Sequence, residues 1–235
     1  MLDASLISVS SSTEVATAVL IGWEPATEIH GQSAPAACNT TPLPYLKLAN
    51  PEWTPKAQDL AMLITMVDSL SAPFANLLHA CLANDTDMKA FLAVPGSCHH
   101  HHAFRGGLLA HTIEVMLLVE RMCEAMKGAD RDVAIAAAML HDIGKCREYT
   151  INRLDMSRRT KQGKLLVHRQ IGYAMLLDAL KRCPIEAHMS LELQHCLVAA
   201  DGPNYMSLPR KQTIEAHILQ AADGVSASAK SEDRR

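Results

Sequence analysis

The chain has 235 residues and a net charge of -3, with 49% apolar and 20% charged residues. At about 100–200 residues per domain this is one domain with extras, able to bury about 70% of its unfolded surface without disulfides, and neither disordered nor fibrous. Aromatics at only 4% favour a helical core over a sandwich or barrel, and the charge excludes a polycation that coats nucleic acid nonspecifically.

Residues 1–50 carry four acids (Asp3, Glu14, Glu24, Glu28), no base before Lys47, and clusters of Ser, Ala and Pro. This reads as an irregular, loosely packed arm. The missing basic start argues against a secretory leader, and the run Val133 to Leu140 is far short of the ~20 residues a membrane span needs. Seven Cys, an odd number with no CxxC pair, read as reduced thiols in a core, so a cytoplasmic setting is expected.

From Pro55 the pattern turns helical. Leu60, Leu63, Ile64, Val67 and Leu70 form an amphipathic stripe, and Ala72–Leu82 and Asp87–Val94 predict two short helices. Gly106 and Gly107 precede a long helix with Leu109, Ile113, Val115 and Met116 on its apolar faces. Asp130 is the expected N-cap of a helix over Arg131–Asp142, with Gly144 as its stop. Tyr149–Leu166 breaks the period and predicts a loop or small hairpin. Helices near Val167–Lys181, Ile185–Ala200 and Lys211–Ser226 follow, and the chain frays from Ser226. The fold class is therefore all-α: a bundle over residues 51–227 with a hairpin insertion, an arm at 1–50 and a polar tail at 228–235.

Chemistry concentrates in an uneven distribution of 12 His. His111 lies early in one helix, His141 and Asp142 are adjacent at the end of another, and Asp223 is near the end of the last. Imidazole nitrogen with carboxylate oxygen suits a divalent ion such as Mn, Fe, Mg or Zn. The long spacing means that separate helices must assemble the site.

The runs His101-His102-Ala103-Phe104-Arg105-Gly106-Gly107-Leu108-Leu109-Ala110-His111-Thr112 and Met139-Leu140-His141-Asp142-Ile143-Gly144-Lys145, followed by Asp223, resemble the HD-domain metal-dependent phosphohydrolase superfamily. Within it, HHAFxGGLLxHT and the later Thr160…Gly163-Lys164-Leu165-Leu166-Val167-His168 are similar to the HD-type 3′–5′ exoribonucleases. The GGLLxHT segment also resembles the HD region of conjugative relaxases. The resemblance implies an all-α bundle in which His111, His141, Asp142 and Asp223 ligate one ion. It implies a role for His168 at a second ion, with Ala200 and Asp201 standing where two-metal members have a His pair, so that Asp201 offers an oxygen instead. The exonucleases also carry an N-terminal OB-type domain, where this chain has its acidic arm.

The expected activity is attack by metal-activated water on a phosphoester, most specifically a nucleic-acid end or oligonucleotide. Asp142 would hold the water as well as the metal, and Lys145, about one turn from His141, would meet a phosphate. His101, His102, Arg105, Lys164 and Arg169 are candidate substrate contacts. Residues 145–169 carry eight bases against two acids, which suits a polyanionic, single-stranded substrate. Two other readings stay open: a nucleotide phosphohydrolase acting on a small substrate, and a non-enzymatic, metal-stabilised module that binds nucleic acid or a partner.

Overall fold

The computed structural model describes residues 43–97, 102–152, 157–199 and 213–229, which belong to one compact unit. Its helices are α1 (Tyr45–Leu48), α2 (Ala57–Asp68), α3 (Ala72–Cys81), α4 (Asp85–Ala93), α5 (Gly107–Ala125), α6 (Arg131–Leu140) and α7 (Lys145–Glu148). A two-stranded antiparallel hairpin follows, β1 (Tyr149–Ile151) with β2 (Ser157–Arg159), Tyr149 opposite Arg159. Then come α8 (Lys161–Leu165), α9 (His168–Arg182), α10 (Ala187–Ala199) and α11 (Ile214–Ala229). The all-α class holds, and the hairpin falls where the helical period breaks.

The centre of the bundle is α6. Asp130 accepts from the Val133 amide at 3.0 Å and starts it, and every residue from Val133 to Leu140 is buried. A helix apolar on all sides must be surrounded, and α6 is packed by α5, α10 and α11, with α5 and α11 also packed on each other. That three-way contact of α5, α6 and α11 brings positions 111, 141 and 223 together from across the chain.

Three boundaries differ from the sequence reading. The last residues of the expected arm form α1, whose Leu46 is fully buried and donates its amide to His79 Nδ1 at 3.3 Å. Gly144 does not stop a helix: α6 ends at Leu140, and Gly144 caps the start of α7 with an ordinary φ of -62°. It is needed instead for contact, because a Cβ there would strike the His168 carbonyl. The last helix runs on to Ala229, and Ser226 is buried in it, because it lies three residues after Asp223 on the same inward face.

The glycine pair before α5 has a definite task. Gly106 adopts φ +78°, a left-handed conformation that suits glycine, and a Cβ on Gly107 would collide with the His102 carbonyl oxygen. That carbonyl accepts from the Gly96 amide at 2.9 Å, so the loop into α5 folds directly over the start of the helix that carries His111.

Candidate metal centre

His111 sits in the second turn of α5, His141 caps the C-terminal end of α6, Asp142 follows in the turn beyond it, and Asp223 lies on α11. His111 Nε2 and His141 Nε2 are 3.2 Å apart. Asp142 Oδ2 is 3.5 Å from each, and Asp223 Oδ1 is 3.2 Å from His111 Nε2 and 3.8 Å from His141 Nε2. His111, His141 and Asp142 offer ligand atoms that all lie within 4.8 Å of one another. The His111 and His141 side chains are each 1% exposed and Asp142 6%, while Asp223 is 29% exposed.

The far sides of the rings fix their tautomers. His141 Nδ1 lies 2.7 Å from the Ala138 carbonyl, which can only accept, so the proton is on Nδ1. Ser226 gives its one hydroxyl proton to Glu114 Oε2 at 3.1 Å, so at 3.0 Å its oxygen accepts from His111 Nδ1. In the neutral tautomers that these bonds favour, both Nε2 atoms turn a lone pair to the site. Two lone pairs facing at 3.2 Å, with two carboxylate oxygens beside them, repel one another unless a cation lies among them. The donor set fits a divalent ion of the borderline-to-hard kind.

Electrostatics agree with that fit. Burial depresses the His141 pKa and keeps the ring neutral. Burial alone would raise the Asp142 carboxyl, but the Lys145 ammonium, then the surrounding His rings, hold it well below the usual carboxylate range. Lys145 Nζ donates to Asp142 Oδ2 at 2.5 Å and to the Gly96 carbonyl at 2.6 Å, and Lys145 is buried.

The other oxygen of Asp142, Oδ1, is 3.3 Å from His168 Nε2. His168 opens α9 and is gripped by the buried Glu148, whose Oε2 accepts from the His168 amide at 2.9 Å and meets its Nδ1 at 2.8 Å. Burial would raise the Glu148 carboxyl, and its bonds with His168 bring it below the ordinary value. Asp142 thus faces the His111–His141 pair with one oxygen and His168 with the other.

The remaining sequence candidates are spread out. His102 is buried beside His111, ring centroids 5.1 Å apart, with Nε2 3.0 Å from Glu114 Oε2. Arg105 and Lys164 are exposed and Arg169 is half-buried. His101 and Asp201 lie outside the described residues. The basic stretch is less free than its sequence suggests: Arg147 is bidentate on Asp87, Lys145 is on Asp142, and Arg159 Nε is 3.3 Å from Glu148. Glu114, Ser226 and Glu148 were not expected at the site. The signal for Glu114 and Ser226 was helical spacing, three residues from His111 and three from Asp223.

The family model for the HD domain matches residues 108–228, just over half the chain. A 3′-5′ exoribonuclease YhaM of Shouchella clausii is 31% identical over 147 residues, 62% of this chain and 46% of that protein. Proteins of the same name in Bacillus subtilis, 29% identical over 145 residues, and Halalkalibacterium halodurans, 30% over 146, match over 46% and 45% of their own lengths. The match thus spans less than half of each relative. No solved structure matches the chain.

Proposed function

The chain belongs to the HD-domain family, and from that premise we propose that it is a metal-dependent phosphohydrolase acting on a nucleic-acid end or oligonucleotide, in the manner of a 3′–5′ exonuclease. The observation that carries the reading is the facing pair of imidazole Nε2 atoms with two carboxylates at their side. A divalent cation held by His111, His141, Asp142 and Asp223 would lower the pKa of a bound water and offset charge developing on phosphoryl oxygens.

The chain's own groups do the positioning. Lys145 holds one oxygen of Asp142 in place from the Gly96 side, so the carboxylate cannot swing away from the two imidazoles. Glu148 fixes the His168 ring by amide and Nδ1, leaving Nε2 turned to Asp142 Oδ1. Asp142 and His168 are our candidates for holding the attacking water or a second ion, with Asp201 as a further oxygen donor. Arg105, Lys164 and Arg169, with His101 and His102, are our candidates for contact with the strand, and residues 51–227 for the catalytic domain. Among the described residues no helix is long and apolar enough to cross a membrane, and we place the activity in the cytoplasm.

Elemental analysis of protein purified without a tag would name the metal (Mn, Fe, Mg or Zn) and count one equivalent or two. The metal-loaded protein is then offered single-stranded RNA and DNA labelled at either end, an aryl phosphodiester, and a panel of nucleotides. Stepwise shortening from one end, abolished in Asp142→Ala, is the expected result. Bound metal with no hydrolysis of any phosphoester would overturn the reading, and turnover of nucleotides alone would replace it with a small-substrate enzyme.

A further inference from the structure

Glu114 has no part in the chemistry proposed above, yet one of its oxygens ties together three segments around the candidate metal centre. Oε2 accepts from Ser226 Oγ at 3.1 Å and lies 3.0 Å from His102 Nε2. An ionised carboxylate offers no proton, so the ring nitrogen is the donor. Glu114 stands three residues from His111 on α5, and Ser226 three residues from Asp223 on α11, so each shares a helix face with a candidate ligand. His102 comes from the loop that enters α5.

His102 is held against a backbone preference. Its φ of +55° is the one left-handed value at a non-glycine among the described residues. Such a conformation persists only where the surroundings fix it. Its carbonyl accepts from the Gly96 amide at 2.9 Å, and Gly107 leaves room for that carbonyl by having no Cβ. Its side chain is fully buried, with the ring centroid 5.1 Å from that of His111.

The other end of the arrangement is the ring of His111, whose Nδ1 lies 3.0 Å from Ser226 Oγ. A hydroxyl alone orients an imidazole but brings no charge to it. A carboxylate behind the hydroxyl polarises it and makes it a stronger acceptor. The result is a carboxylate–histidine pair with one hydroxyl inserted, the kind of support that raises the basicity of a metal-binding imidazole. We propose that Glu114 is a positioning residue for the metal: acting through Ser226 it holds His111 with Nε2 toward the ion and strengthens that nitrogen as a donor, while His102 secures the carboxylate from the other side. By the same bond it holds the turn of α11 that bears Asp223 against α5. The proposal rests on the metal-site part of the reading above.

The test is metal binding by the full chain with no strand present. Zinc is titrated in competition with a fluorescent indicator into the parent, Glu114→Gln, Ser226→Ala and the double variant. Glu114→Gln keeps the side-chain shape and an accepting oxygen but removes the charge, and should weaken affinity about tenfold. In the Ser226→Ala background the same change should cost less than about twofold, because the hydroxyl that transmits it is gone. The Glu114 side chain is 37% exposed, so Glu114→Gln should melt with the parent in excess chelator. A second pair of variants approaches from the other side. His102→Asn tolerates the left-handed backbone but stops short of Glu114, and should also weaken zinc binding; His102→Gln, whose amide nitrogen takes the place of Nε2, should restore most of the loss. Unchanged affinity in Glu114→Gln, losses that multiply in the double variant, or equal affinities for His102→Asn and His102→Gln overturn the proposal. A parent that binds zinc with these losses and cleaves no phosphoester sinks the enzyme reading and leaves the positioning role standing. Hydrolysis abolished by Asp142→Ala, with zinc affinity indifferent to Glu114→Gln, does the reverse.

Discussion

Lys145→Met tests how the Asp142 carboxylate is held. The methionine matches the lysine stem in length but removes the ammonium that donates to Asp142 Oδ2 and to the Gly96 carbonyl. Asp142 is buried, so the substitution leaves a carboxylate in the interior without its closest counter-charge. Breaking a buried pair from one side destabilises by about 3–5 kcal/mol. For a chain of this size each kcal/mol moves the melting temperature by about 2–4 °C, so the chelated protein should melt about 6–20 °C lower. Circular dichroism followed through thermal unfolding in excess chelator reads the change directly. Lys164→Met, at an exposed position, should stay within about 0.5 kcal/mol of the parent. Adding Asp142→Asn to Lys145→Met should recover at least half the loss, since no charge is then stranded. A Lys145→Met protein that melts within 2 °C of the parent would refute the reasoning and free Lys145 to act on phosphate alone.

Ser226→Ala removes the oxygen that receives His111 Nδ1–H and should weaken metal affinity about 10–100-fold, measured by competition with a metal indicator, with little change in fold. Undiminished affinity would show that the tautomer is set elsewhere. Asp87 would be raised by burial, but its bonds with Arg147 and Asn84 bring its pKa below the ordinary carboxylate value, so the ionised form adds stability at neutral pH. That stability should fade as pH drops from about the ordinary carboxylate value of 3.9 through the depressed one, and Asp87→Asn should flatten urea-measured stability across that interval. Gly144→Ala drives a Cβ into the His168 carbonyl and should both destabilise the protein and displace His168; a variant with the parent's stability would contradict the close crossing of α7 and α9.

Much of the fold is legible because its signals are local. The stripe from Leu60 to Leu70, the Asp130 cap and the loss of period after Tyr149 each depend on neighbours a few residues away, and each reappears as an element. The candidate metal centre is legible for another reason: His111, the His141–Asp142 pair and Asp223 stand in an ordered pattern whose resemblance implies their convergence. What supports them was not readable. Glu148 reaches His168 across 20 residues and Asp87 reaches Arg147 across 60, and a charge count along residues 145–169 cannot see partners that far off. Gly144 misled because glycine near a helix end usually marks a stop, whereas here the missing side chain makes room for another helix. Ser226 looked like the beginning of a frayed end because its neighbours are small and polar, and only the turn of α11 aims it inward.

The burial of α6 divides the candidate metal centre into a buried half and a half open to water. His141 rides on a helix with no solvent-facing residue from Val133 to its end, so its amides exchange with deuterium only when the whole bundle opens. Asp223, on α11, is the one of the four with appreciable access to water. An ion entering or leaving this site would therefore meet the Asp223 side first, the one side that water reaches.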